Sequence, residues 1–201
     1  MNTGTPSSTV LPAHMPHYRD HMGRKFCRSL LRLGGWRLEG EFPDCARVVL
    51  IAAPHSSWWD GIWGLLMKVG IGAEVHFMIK DELFHGLFAP LGALLRALGG
   101  IAIDRRAARG VVEQMTDRFE ASPSLWLAIT PEGTRKPVQR WKSGFWHIAH
   151  HAGVPIFPVA FHYPDKLIVL GPLFDTTDDM QADLARLRAF YAPYRGKYHG
   201  V

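Results

Sequence analysis

The segment Pro54-His55-Ser56-Ser57-Trp58-Trp59-Asp60 carries a histidine and an aspartate five positions apart. Further along, Pro131-Glu132-Gly133-Thr134-Arg135-Lys136 supplies a carboxylate, a flexible backbone position and two cations. A base held by an acid, facing a loop that grips an anion, is equipment for moving a group between oxygen or sulfur atoms. Spacing constrains how the first pair can work. Five residues of regular helix turn the chain by about 500°, which leaves the two side chains roughly 140° apart. They meet only if His55 lies in a strand-to-helix turn and Asp60 in the first helical turn. Pro54 and the candidate caps Ser56 and Ser57 fit that arrangement. Asp60 then accepts from one imidazole nitrogen and leaves the other free as a base. Standing alone, the pair reads equally as a cap or a packing contact.

No serine nucleophile is evident, since there is no G-x-S-x-G elbow. Ser56 and Ser57 adjoin His55, and neighbours in a turn rarely align for attack. Cys27 and Cys45 have no metal-type spacing and are expected as reduced thiols. Direct attack, without a covalent enzyme intermediate, is the economical mechanism. Arg135 can meet a phosphate with paired donors and Lys136 as a compact charge. Lys80 and Arg105 follow two further predicted strands. These four cations either converge on one anion or stand as separate solvated charges. His147 and His151 share a helical face and could share a zinc. No H-E-x-x-H accompanies them, so a structural role is expected and no metal. Walker and Rossmann glycine patterns are absent.

These residues need a scaffold, and the periodicity predicts one. Strand-like runs fall at 36–41, 47–53, 75–79, 101–103, 125–129, 156–161 and 167–170. Helical patterns fall at 22–34, 58–69, 84–98, 107–120, 143–151 and 180–191. Alternating strands and helices argue for an α/β fold, a single domain whose largely parallel sheet is flanked by helices. Sites in such sheets sit on loops at the carboxyl ends of strands. His55, Asp104-Arg105 and Glu132-Gly133 all follow predicted strands, so three motifs point to one edge.

The chain has 201 residues, 47% of them hydrophobic and 20% charged, enough for one globular domain. Residues 1–20 read as a disordered leader and 21–201 as the domain; nothing resembles a signal peptide or a spanning helix. A net charge of +5 favours anionic partners. The helix at 22–34 puts Met22, Phe26, Leu30 and Leu33 on one face and Arg24, Arg28 and Arg32 on another. It is an N-terminal amphipathic helix that either packs on the core or lies on an anionic membrane surface.

Together the blocks resemble the 1-acyl-sn-glycerol-3-phosphate acyltransferase family, the lysophospholipid acyltransferases. That family shows N-H-x-x-x-x-D, G-x-I-F-I-D-R, F-P-E-G-T-R and V-P-I-x-P-V in this order. Here they stand as Pro54–Asp60, Gly100–Arg105, Thr130–Arg135 and Val154–Val159, with Pro54 in place of Asn and Thr130 in place of Phe. The resemblance implies His55 as general base oriented by Asp60, with no cofactor and no metal. It implies that Lys80, Arg105, Glu132, Gly133, Thr134 and Arg135 bind substrate and that Val154–Val159 shapes the acyl side. The donor would be acyl-CoA or acyl carrier protein, and the acceptor a lysolipid hydroxyl at an anionic membrane surface. Nucleic acid is not an expected partner, and the expected location is cytoplasmic, peripheral to the inner face of the cell membrane. Two other readings use the same residues: acyl transfer to a non-phospholipid acceptor, and a non-catalytic protein that binds anionic lipid. The second has no need of a base-acid pair.

Overall fold

The strand β2, Arg47–Ala53, is apolar on both faces. Its odd members Val49, Ile51 and Ala53 enter one buried cluster, while Val48 enters the other, with Leu50 and Ala52 packed against it. Period-two alternation with both sets buried requires a layer of helices above and below the strand. A computed structural model describes residues 11–18, 23–85, 89–104 and 110–201 and shows those layers.

The remaining strands are β1 (Arg37–Glu39), β3 (His76–Lys80), β4 (Gly100–Ile103), β5 (Leu125–Ile129), β6 (Ile156–His162) and β7 (Leu167–Leu170). They form one sheet of seven strands in the order β1-β7-β6-β2-β5-β3-β4. All pairings are parallel except β6 with β7. The helices are α1 (Gly23–Gly34), α2 (Trp58–Ile71), α3 (Ala89–Ala97), α4 (Val111–Ala121), α5 (Gly144–Ala152) and α6 (Met180–Tyr191). One sheet face meets Leu31 of α1 and Met67 and Ile71 of α2. The other meets Met115 and Phe119 of α4, Phe145 and Ile148 of α5, and Leu187 and Tyr191 of α6. Each such side chain, fully buried, stabilises by about 1.5–3 kcal/mol.

Pro158 sits inside β6 opposite Ile51 and cannot donate to the ladder. On the β2 side the Tyr191 hydroxyl joins the two strands: it donates to the Ile51 carbonyl at 2.6 Å and accepts from the Val159 N–H at 3.0 Å. A single phenol on α6 thereby ties β2 to β6 beneath the site.

One expectation needs correction. The long apolar helix over 84–98 is instead a 3-10 turn at Asp81–Phe84 and the shorter α3. Pro90 falls in the first turn of α3, where a missing N–H is tolerated. Within residues 11–18, Met15 is buried, and Tyr18 N–H donates to the Gly72 carbonyl at 2.9 Å. In α1 two of the three arginines, Arg24 and Arg28, are turned inward while Arg32 is exposed. Arg24 and Arg28 donate to the Ile71 and Gly70 carbonyls at 2.8 and 2.7 Å, at the carboxyl end of α2. Orphan carbonyls and a negative helix terminus reward cations there. The apolar residues Phe26 and Leu33 face outward instead, 66% and 84% exposed.

Candidate active site

Strand β2 lies between β5 and β6, all three parallel, so the loops after them open side by side. The loop after β2 carries His55. Ser57 caps α2 with an extended backbone, and its side chain accepts from Trp59 N–H at 3.2 Å. Asp60 completes the reciprocal capping box by accepting from Ser57 N–H at 2.8 Å. Asp60 thus sits in the first helical turn and His55 in the turn before it, the arrangement their spacing required.

Asp60 is 2% exposed and collects four donors. Its Oδ2 meets His55 Nδ1 at 3.2 Å and the N–H groups of Ser56 and Ser57, each at 2.8 Å. Its Oδ1 accepts from the Tyr163 hydroxyl at 2.5 Å. Burial raises the Asp60 pKa, but the donors His55, Tyr163 and Ser57 outweigh it, and the carboxyl falls below its ordinary range. With Nδ1 on Asp60, His55 keeps Nε2 for other work, and no described residue is hydrogen-bonded to it.

The loop after β5 carries Glu132, 3% exposed, whose Oε2 accepts from the His55 backbone N–H at 2.7 Å. That contact pins the His55 turn to the second motif. Burial pushes the Glu132 carboxyl above its ordinary range, and the His55 N–H only partly offsets this. Gly133 adopts φ 63°, a left-handed conformation that favours glycine, while the nearby Lys142 side chain is flexible enough to yield to a Cβ. Thr134 closes the turn locally, its Oγ1 accepting from Lys136 N–H at 3.3 Å. Arg135 lays its guanidinium carbon 3.5 Å above the centre of the Trp58 ring. Its Nη1 is buried with no hydrogen-bond partner among the described residues. A buried cationic donor without a partner is costly unless an anion completes it.

Other sequence candidates are spread along the same edge. Lys80 ends β3 and Asp104 follows β4, two and three strands from β2. At about 4.8 Å per strand, that is roughly 10 and 14 Å of lateral separation. Arg105 lies outside the described residues, and Lys136 is exposed. The block Val154–Val159 leads into and forms β6, with Val154, Ile156, Phe157 and Val159 buried in the core rather than lining an opening. His150 stacks on Trp146 at 4.6 Å, and no described group of His, Cys, Asp or Glu is arranged to hold a metal ion.

Sequence reading missed two contributors. Tyr163 follows β6 and reaches Asp60 across the loops. The segment 194–200 straps the His55 turn: Tyr198 N–H donates to Ser56 Oγ at 3.2 Å, and His199 Nε2 meets the Arg135 carbonyl at 3.1 Å. Neither carries a local signal, because each acts through a contact far along the chain.

Comparison with known proteins identifies the family. The family model described as Acyltransferase matches residues 38–162, more than half the chain. The 1-acyl-sn-glycerol-3-phosphate acyltransferase of Pseudomonas aeruginosa is 26% identical over 156 residues, which are 69% of this chain and 58% of that protein. The human lysophospholipid acyltransferase LPCAT4 is 37% identical over 131 residues, 59% of this chain and 22% of that protein. The chain therefore spans less than two thirds of either relative. Among solved structures, the 1-acyl-sn-glycerophosphate acyltransferase PlsC of Thermotoga maritima matches with a TM-score of 0.60 at 18% identity. The match covers 83% of this chain and 74% of that one, a likeness of fold.

Proposed function

The chain belongs to the acyltransferase family, and from that premise we propose that it moves a fatty acyl group from a thioester to the hydroxyl of a lysophospholipid-type acceptor. One observation carries the reading. His55 is oriented by a buried carboxylate through Nδ1, beside a loop whose Arg135 holds a buried donor without a partner. A base and an anion receptor share one sheet edge, as an acceptor carrying both a hydroxyl and a phosphate requires.

In this mechanism the acceptor phosphate pairs with Arg135, which Trp58 keeps flat. His55 Nε2 removes the hydroxyl proton as the oxygen attacks the thioester carbonyl carbon. The tetrahedral intermediate collapses, the C–S bond breaks, and the sulfur leaves with the proton that His55 returns. Asp60 stays ionised throughout and stabilises the transient imidazolium. General-base assistance of this kind contributes about 10²–10⁴-fold. Acyl-CoA and acyl carrier protein both present the required thioester.

The same reading puts an anionic bilayer against the aromatic corner rather than the arginine face. Trp58 (76% exposed), Trp59 and Ile62 of α2 and Leu33 of α1 stand exposed. A groove of about 360 Å³ between them is lined by Leu33, Trp59, Trp63 and Tyr163, with Lys166 and Lys197 also lining it. Exposed aromatics with lysines suit the headgroup level. No helix among the described residues is long and apolar enough to cross a membrane.

The test is thiol release from palmitoyl-CoA with 1-acyl-glycerol 3-phosphate. His55→Ala should abolish release while binding to phosphatidylglycerol vesicles persists. Full activity in that variant would refute the base assignment. Leu33→Glu with Trp59→Glu should reduce vesicle binding, and unchanged co-flotation would remove the bilayer from this corner.

A further inference from the structure

We propose that Tyr163 is a positioning residue of this reaction: its hydroxyl fixes the Asp60 oxygen that His55 does not use, and so aims the imidazole. The inference rests on the acyl-transfer reading and extends it to a residue just beyond the span matched by the family model, which ends at residue 162.

The geometry is asymmetric. Three of the four donors converge on Oδ2, namely His55 Nδ1 and the N–H groups of Ser56 and Ser57. Donors on one oxygen leave a carboxylate free to swing about it, and the terminal torsion of aspartate is soft. Any swing turns the imidazole hydrogen bonded to it. Tyr163 removes that freedom with a 2.5 Å bond to Oδ1. Phenol-to-carboxylate bonds of this length are charge-assisted and among the stronger neutral-donor contacts.

Tyr163 is itself held on three sides. Its ring meets the edge of buried Trp36 at 4.9 Å and 89°. Its N–H donates to the Arg195 carbonyl at 2.9 Å, and its carbonyl accepts from Lys166 N–H at 3.2 Å. Burial and the Asp60 carboxylate both push the phenol pKa upward, so it remains a donor at working pH. The site is braced from both neighbours of β2. Strand β5 sends Glu132 to the His55 backbone, and β6 sends Tyr163 to the partner of its side chain.

Tyr163→Phe keeps the ring on Trp36 and deletes only the hydroxyl, so a packing role predicts little change. Positioning predicts that kcat for palmitoyl-CoA and 1-acyl-glycerol 3-phosphate falls about tenfold or more, with both KM values within about twofold. Because the effect runs through Asp60, adding Tyr163→Phe to Asp60→Asn should cost less than about twofold more. A Tyr163→Phe kcat within twofold of the parent, with His55→Ala inactive, overturns the assignment alone. An equal loss in the Asp60→Asn background also overturns it. His55→Ala retaining full activity overturns the mechanism and this role together. Near-ultraviolet circular dichroism on each variant establishes that the kinetics report a folded protein.

Discussion

Replacing Asp60 by alanine should destabilise the fold by about 3–5 kcal/mol. The figure follows from the groups left behind. The N–H groups of Ser56 and Ser57, each 2.8 Å from Oδ2, lose their acceptor in a buried turn, at about 1–3 kcal/mol for each left unsatisfied. Contributions overlap, because one water can serve both groups, and the sum stays near the stated range. Asp60→Asn keeps an acceptor oxygen for those donors and should cost only about 1–2 kcal/mol. Its activity should still fall by about 10²-fold or more, since an amide neither steers nor stabilises the imidazolium as a carboxylate does. Urea unfolding followed by tryptophan fluorescence measures the first quantity, and thiol release the second. The pH dependence adds a sign. Asp60 titrates below the ordinary carboxylate range in the folded chain. Its stabilisation is therefore complete above that range and is lost as pH falls through the lower folded value. Asp60→Asn should flatten that part of the acid slope. An alanine variant losing under about 1 kcal/mol, or an asparagine variant as unstable as alanine, would refute the capping argument.

Gly196→Ala places a Cβ 2.6 Å from Ser56 Oγ and 2.8 Å from the His199 carbonyl, and should lift the strap off the catalytic turn. Hydrogen exchange should rise at Ser56 and Tyr198 and stability fall by about 1–3 kcal/mol; unchanged exchange would count against the strap. Lys68, buried against the Leu98 carbonyl, titrates near 8 because burial disfavours its charge. The unfolded chain then holds the extra proton above pH 8, so stability should climb between about pH 8 and 10. Lys68→Met should remove that climb from the thermal midpoints, and a climb that survives would assign it elsewhere. Arg135→Ala should raise the acceptor KM about tenfold or more only for acceptors bearing phosphate. Arg135→Lys should recover part of the loss, because lysine lacks the flat face that stacks on Trp58. Equal effects on a phosphate-free acceptor would remove the clamp.

Much of this protein was set by order along the chain. The spacing of His55 and Asp60 demanded a turn followed by a helix start, and Ser57 supplies the cap. Continuous apolar runs announced β2 and β5 as buried strands, and Gly72 and Gly153 end α2 and α5 in left-handed conformations. These features rest on contacts a few residues apart, which periodicity and side-chain type encode directly. The tertiary structure decided what lies beside what. Burying two faces of a sheet fixes that strands are covered, yet several strand orders satisfy it. Only the observed order sets β5 and β6 on either side of β2, bringing Glu132 to the His55 N–H and Tyr163 to Asp60. The same holds for α1, whose periodicity left open which face packs. Arg24 and Arg28 turn inward because the carboxyl end of α2 leaves carbonyls unpaired at that place in space.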